Sequence, residues 1–383
     1  MTIFRCTRPE VYRDVNMNWL FLNPIKETGW GGMENWMRNL AVGLQAVGDR
    51  CVVVARPESP WREACGGSGL AYESFRFGME LAPWSVRKVR DIARRHGADV
   101  AIAKGFRSAR FLRLADRRLA VGVKLPCPRD LRDGWFDRFT YAHAVDRVLV
   151  DSHDTRRVFL RFPWVHGEKI VATHNGVAFD AEYPAPERRD AARRTLGVRA
   201  DQLIVMVAGR FSVGKRFDDA IEAFAASGVA GRAVLYLMGE GERRAELEGR
   251  AAACGAKRHI RFLGMRNDTG ALLWACDVLL HPIDPEGLPN ATLEAMGRGA
   301  VAITTDNGAN PEVITDGVDG LLVPKGDIPA MAGRLRSVVD DAGRRAAIAQ
   351  AAVQRARTGF PMSRMVETIR NTMADAKRRM PRC

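Results

Sequence analysis

The chain repeats one pattern twice: a short apolar run that reads as a buried strand, then a longer stretch with helical periodicity. Runs at 19–22, 51–55, 99–103, 120–123 and 147–150 form a first series, and runs at 203–208, 233–237, 260–263, 278–280, 300–304 and 320–323 form a second. Each run is too short for a helix, and strand alternating with helix leads to a parallel sheet covered on both faces. With 383 residues the chain exceeds one ordinary core. The fold class expected is therefore α/β, with two Rossmann-like domains and a cleft between them. The boundaries expected are an arm at 1–16, a first domain at 17–180, a polar, Pro- and Arg-rich linker at 181–200, a second domain at 201–360, and a final helix with tail at 361–383. Met17 reads like a natural start directly before the first strand, which leaves 1–16 without assigned chemistry. Ligands of open α/β sheets bind outside the carboxyl ends of the strands, so the loops that follow strands are the place to look for chemistry.

Composition narrows the class. No apolar stretch is long enough to span a bilayer, and the N-terminal residues have no signal-peptide core. Seven cysteines, odd in number and scattered without a Cys-x-x-Cys pair, read as reduced thiols of a cytoplasmic protein and not as a disulfide frame or zinc site. The net charge of +14 suits nucleic acid, an anionic membrane or an acidic substrate, or simply an arginine-rich solvated surface.

One stretch is built for chemistry. Glu286 and Glu294 lie eight residues apart, with Gly287-Leu288-Pro289-Asn290 between them. Pro289 marks the start of a helix. Glu286 then stands in the loop before the helix mouth and Glu294 about one turn inside. The N–H groups between them offer an anion site. A carboxylate beside such a site suits a sugar nucleotide, which has hydroxyls at both ends and a diphosphate in the middle. Upstream, Arg210 and Lys215 follow the first strand of the second series, where two cations would stabilise a diphosphate as charge builds on it. Gly31-Gly32 ends the loop after the first strand and opens a helix; glycine lets the backbone approach a ligand closely. Gly239-Glu240-Gly241-Glu242 reads equally as a tight turn or a ligand contact, and Asn175-Gly176 as a hinge.

The glutamate pair resembles the glutamate–seven residues–glutamate signature of retaining glycosyltransferases of family 4, which have the GT-B fold. Blocks at 208–215, 262–264, 275–282, 308–314 and 316–324 resemble further family blocks in the same order. The resemblance implies two Rossmann-like domains with parallel sheets facing a cleft and a C-terminal helix crossing back to the first domain. It implies that Arg210 and Lys215 neutralise the donor's pyrophosphate, that Glu294 bonds the ribose hydroxyls and Glu286 the donor sugar, and that the Gly32 loop reaches the phosphates. Backbone groups of Gly287, Leu288, Pro289 and Asn290 complete the donor site. Catalytic weight falls on Glu286, Arg210 and Lys215. No Asp-x-Asp is present, and neither metal nor cofactor is expected beyond a UDP- or GDP-linked sugar as donor substrate.

The chain departs from the family on the acceptor side. Relatives carry first-domain histidines where this chain has Lys104-Gly105 and the stretch 124–130. Lys104, Arg107, Arg110, Lys124 and Arg129 are candidates to face an anionic acceptor, or else are solvated helix bases. His143 and His153 are expected in helices away from strand ends. Aromatics beside bases, at Trp61-Arg62, Phe75-Arg76-Phe77 and 84–90, suit contact with anionic lipid; the alternative is a helix that turns Trp84, Val86 and Val89 inward. The expected partners are thus a nucleotide-sugar donor, a glycan or glycolipid acceptor of envelope or lipopolysaccharide type, and an anionic membrane touched peripherally on its cytoplasmic side, with no nucleic acid. The rivals are another GT-B enzyme, such as a sugar-nucleotide epimerase or a phosphorylase, and a non-enzymatic basic binder of membrane or nucleic acid.

Overall fold

The computed structural model describes residues 16–24, 31–78, 82–127, 130–179 and 181–380. The chain forms two compact units, one of 1–176 with 362–383 and one of 177–361. The arm expected at 1–16 lies, but for Asn16, outside the described residues.

The first unit holds a parallel seven-stranded sheet. Its strands are β1 (Asn18–Asn23), β2 (Arg50–Ala55), β3 (Ala71–Ser74), β4 (Val100–Lys104), β5 (Ala120–Lys124), β6 (Arg147–Val150) and β7 (Ile170–Ala172), in the order β3-β2-β1-β4-β5-β6-β7. Sequence reasoning found the five inner strands and missed β3 and β7. Both are edge strands, and β3 is mostly half-exposed, so neither carries the continuous apolar run of a strand buried on two faces.

Alternation along β1 sorts its neighbours. Leu20 and Leu22 join a core with Val86, Val89 and Ile92 of helix Pro83–Arg95 and with Phe106, Ala109 and Leu112 of helix Gly105–Ala115. The opposite face receives helix Gly32–Ala46 and the last helix, Met362–Arg378. A Cβ on Gly43 would stand 2.4 Å from Val366, and one on Gly122 would stand 2.8 Å from Met373 Sδ. These two glycines let the last helix lie against the first unit. Arg370 fastens it, donating to both oxygens of the fully buried Asp49 at 2.9 and 3.1 Å.

The second unit has six parallel strands: β8 (Leu203–Ala208), β9 (Ala233–Met238), β10 (Ile260–Gly264), β11 (Val278–His281), β12 (Val301–Thr305) and β13 (Leu321–Val323). Their order is β10-β9-β8-β11-β12-β13. Its core gathers Val205, Val207, Leu235, Val278, Leu280 and Ile303 against helices Phe217–Ser227 and Ile328–Asp340.

The stretch 181–200, expected as a linker, is part of this unit. Pro186–Leu196 is a helix, ended by Gly197 in the left-handed conformation. Arg189 bonds Asp277 at 2.6 Å, and Ala192 is buried with Met206 and Tyr236. The many charges that made the stretch look like a tether sit on one narrow, well-anchored helix, whose small apolar stripe is easily overlooked.

Candidate active site

In both sheets the strand order reverses at one place, between β1 and β4 and between β8 and β11. Two loops leaving such a switch point diverge to opposite faces and open a crevice at the carboxyl ends of the strands. In the second unit those loops are the ones singled out from sequence. The loop after β8 carries Arg210 and Lys215, and the loop after β11 carries Glu286.

The structure brings Lys215 and Glu286 together. Lys215 ends a single 3-10 turn, Val213–Lys215, and its Nζ donates to Glu286 Oε2 at 2.7 Å, both side chains about one quarter exposed. Arg210 stands apart from this pair, with its side chain 77% exposed and its guanidinium 3.7 Å from Glu242. It is thus a largely solvated cation at the same strand end. Pro289 precedes helix Asn290–Met296, where Glu294 is the fifth residue. Burial raises the Glu294 carboxyl above its ordinary pKa, with Arg298 opposing. Gly287, Leu288 and Pro289 are buried, and Leu288 packs with Leu293 and Val313. The Leu288 side chain belongs to the core, so what this stretch offers a ligand is its backbone.

Several residues that hold the site were not legible in the sequence. Asp284 ties its two loops. Its backbone N–H donates to Gly214 O at 2.9 Å, and its carboxylate meets Lys325 at 2.7 Å and Arg216 at 3.9 Å. Arg216 has φ +46°, alone among the described non-glycine residues in being left-handed, and a 2.6 Å hydrogen bond to Asp219 helps hold it there. The β11 loop is also clamped from β12. Thr304 donates to His281 O at 2.7 Å, and Thr305 and Asn307 donate to Ile283 O at 2.7 and 3.0 Å. Gly308 is left-handed, and a Cβ there would lie 3.2 Å from Glu286 O. His281 is buried with Nδ1 2.8 Å from Thr292 Oγ1; burial first, then the charge of Lys215, pushes its pKa down to about 3. The signals were present as single polar residues after strands, but only the fold shows which of them face each other.

The Gly239–Gly241 turn is resolved by contact. A Cβ on Gly239 would meet Gly209 O at 1.8 Å, and one on Gly241 would meet Phe211 O at 2.5 Å. These glycines let the β9 loop lie flat on the loop that bears Arg210.

In the first unit, Gly32 is the exposed first residue of its helix, and a Cβ there would touch nothing. Glu34, two residues on, is buried and accepts from Asn23 at 3.0 Å and Lys104 at 2.5 Å across the β1/β4 switch point. Burial would raise its pKa, but the hydrogen bond and charge of Lys104 outweigh that and hold the carboxyl below its ordinary value.

Of the five bases named as acceptor candidates, three are engaged within the first unit, and Arg107 is exposed on its helix. Lys104 is neutralised by Glu34. Lys124 is 2% exposed, pairs with Asp151 and lies 4.4 Å above the Trp36 ring. Arg110 bonds Thr140 at 2.9 Å and stacks on Phe136 at 4.1 Å. Arg129 lies outside the described residues. A buried base must find an acid or an aromatic face, and sequence alone does not show the partner. His143 is exposed at the end of its helix. His153 stands at a strand end, contrary to expectation, because only Asp151 and Ser152 separate it from β6; its ring lies 5.3 Å from His174, past β7.

Residues 188–355 match the family model described as glycosyl transferases group 1, and residues 30–181 match the one described as Glycosyltransferase Family 4. The chain belongs to these glycosyltransferases. It is 26% identical over 326 residues to the lipopolysaccharide core biosynthesis glycosyltransferase LpsE of Rhizobium meliloti (strain 1021), covering 84% of this chain and 89% of that protein. It is 24% identical over 331 residues to LpsD of the same organism, also described as a lipopolysaccharide core biosynthesis glycosyltransferase, covering 86% and 91%. Its fold is similar to that of Anabaena HepE, solved in complex with UDP-glucose, with a TM-score of 0.81 and 23% identity over 94% of this chain and all of that one. The glycosyltransferase therefore has the GT-B fold expected for it. Among the described residues, none of its helices is long and apolar enough to cross a membrane.

Proposed function

We propose that this glycosyltransferase moves a hexose from a nucleoside-diphosphate sugar to a lipopolysaccharide-type or other envelope glycan acceptor, with retention of anomeric configuration. The observation that carries the reading is the Lys215–Glu286 pair at the β8/β11 switch point, 2.7 Å apart, with the largely exposed Arg210 on the loop that bears Lys215. Lys215 and Arg210 supply positive charge for the diphosphate, and the backbone N–H groups of the Gly287–Asn290 segment are assigned to the same phosphates. Glu294 is assigned to the ribose hydroxyls and Glu286 to the donor sugar. The bond from the anomeric carbon to the diphosphate breaks with its electron pair on the leaving phosphate, and the acceptor hydroxyl attacks from the same face, passing its proton to that departing phosphate oxygen. Because the counter-charge comes from side chains already in place, the scheme calls for no metal. The names of LpsE and LpsD support the lipopolysaccharide acceptor, and the UDP-glucose complex of HepE supports a UDP-linked donor. A lipid-borne acceptor places the enzyme at the cytoplasmic face of a membrane as a peripheral protein.

The test is nucleoside diphosphate release from UDP-glucose, UDP-galactose, UDP-N-acetylglucosamine and GDP-mannose, with Lys215→Ala and Glu286→Ala beside the wild type. Release from one donor, slowed on the order of 100-fold in each variant, is the expected result. No release together with no nucleotide binding by calorimetry sinks the reading. The anomeric configuration of the product, read by NMR, decides retention.

A further inference from the structure

We infer that Asp284, with Arg216 and Lys325 as its counter-charges, is a positioning residue for the transfer reaction: it fixes the separation between the loop that bears Lys215 and the loop that bears Glu286. This rests on the roles proposed above for Lys215 and Glu286, and it assigns a task to three charged residues that the scheme leaves unused.

Lys215 and Glu286 follow different strands, so their meeting depends on how two loops are held against each other. Asp284 touches both loops. It lies two residues before Glu286, and its backbone N–H donates at 2.9 Å to the carbonyl of Gly214, the residue before Lys215. A Cβ on Gly214 would stand 3.8 Å from Asp284 Oδ2, so the carboxylate lies against that turn. The Asp284 backbone is itself held stiffly. Pro285 follows it and disfavours helical backbone at Asp284. Ile283 O, just before it, accepts from Thr305 and Asn307 at the end of β12.

The carboxylate then draws in charge from two directions. Lys325 Nζ, on the loop after β13, lies 2.7 Å from Oδ1, and Arg216 Nη1, next to Lys215, lies 3.9 Å from the same oxygen. β12 separates β11 from β13, so Lys325 reaches over a whole strand to arrive there. Arg216 also pairs with Asp219. Two bases and two acids balance within this group, so it adds no net charge beside Lys215, and its contribution is placement. Two observations separate placement from plain stability. About a third of the Asp284 side chain and nearly half of Lys325 are exposed, and partly exposed pairs add little to folding. Arg216 nonetheless holds a left-handed backbone, a kind of strain that clusters at functional sites. A misplacement of about 1 Å in a site costs on the order of 100-fold in rate, so a clamp of this kind acts on rate before it acts on stability.

The test compares Asp284→Asn, which keeps the size and the backbone N–H but removes the charge, with Lys325→Met and the double variant. Arg232→Met, which removes an exposed pair with Asp340 at the amino end of β9, is the control. Four quantities are measured on the full chain: nucleoside diphosphate release from the four nucleotide sugars named above, UDP and GDP affinity by calorimetry, urea unfolding, and hydrogen–deuterium exchange of 209–217 and 282–289. In Asp284→Asn, kcat should fall about 10- to 100-fold while KM and nucleotide affinity stay within about 3-fold. Lys325→Met should lose less but at least about 3-fold, and the double variant should be no slower than Asp284→Asn, because both changes break one clamp. Exchange should rise in both loops together, with the unfolding midpoint unmoved and the control like the wild type. Release from Asp284→Asn within about 3-fold of wild type, losses that multiply in the double variant, or unchanged exchange in the two loops overturns the inference. A loss of rate that only follows a loss of stability does so too, since that marks a merely structural role. If Asp284→Asn does not fold, wild-type rate and exchange in Lys325→Met overturn it. No release by the wild type from any donor is the separate failure of the transferase reading, and the exchange measurement then decides the clamp by itself.

Discussion

Arg216 shows how much of this site is held by single residues in unfavourable states. It follows Lys215 directly, and its left-handed backbone turns the chain from the 3-10 turn into helix Phe217–Ser227. A non-glycine residue there costs about 1 kcal/mol or more, which Asp219 and Asp284 offset through its side chain. Arg216→Ala should therefore lose the ion pairs and keep the strain, whereas Arg216→Gly loses the pairs and relieves it. The glycine variant should be the more stable of the two by about 1 kcal/mol in urea unfolding. His281 gives a second residue-scale prediction. Its imidazole titrates near 6.5 when unfolded but stays neutral down to about 3 in the fold. Between those values the unfolded chain binds the extra proton. Stability then falls as pH is lowered through that window, by at most about 1.4 kcal/mol per pH unit from this group. Urea unfolding of wild type and His281→Gln, from neutral pH down to about 4, should show the steeper decline in the wild type.

At the scale of elements, the site depends on loops lying flat against one another. The β9 loop crosses the Arg210 loop with no room for a side chain at Gly239. Gly239→Ala should push the two loops apart, cost about 2 kcal/mol or more in stability, and lower activity through Arg210 without touching its chemistry. Combined urea unfolding and nucleotide release checks this. Gly249→Ala, in a helix with open space around its Cβ, serves as the control and should keep both activity and stability. The turn motif was visible in the sequence, as was its place after a strand. That it serves loop packing was not visible, since the neighbour it accommodates is 30 residues away along the chain at Gly209. For the same reason β3 and β7 escaped notice: an edge strand is recognised by what it pairs with, not by its own composition.

At the scale of the whole molecule, the chain's last helix completes the first unit. Arg370 is 12% exposed and Asp49 fully buried, so the pair is held away from water. Arg370→Ala should leave a buried carboxylate without its cation and destabilise the first unit by about 3–5 kcal/mol, seen as earlier unfolding in urea. Restoring apolarity with the double variant Arg370→Met, Asp49→Asn should recover part of that loss. Trp19, which donates to the same carboxylate at 3.0 Å, provides a fluorescence reporter for the event.

The sequence by itself determined the alternation of strand and helix, hence the two parallel sheets. It also marked the loops that carry Arg210, Lys215 and Glu286 and the helix that carries Glu294, because period, turn chemistry and order along the chain are local properties. Only the tertiary structure decided which charges meet. Lys215 faces Glu286 across 71 positions of sequence and Lys104 faces Glu34 across 70, while Lys124 sinks beneath Trp36 beside Asp151. It also decided that Trp61 is core and Trp135 is surface. Burial and pairing depend on neighbours brought from elsewhere in the chain, and a residue type carries no record of which neighbours those are.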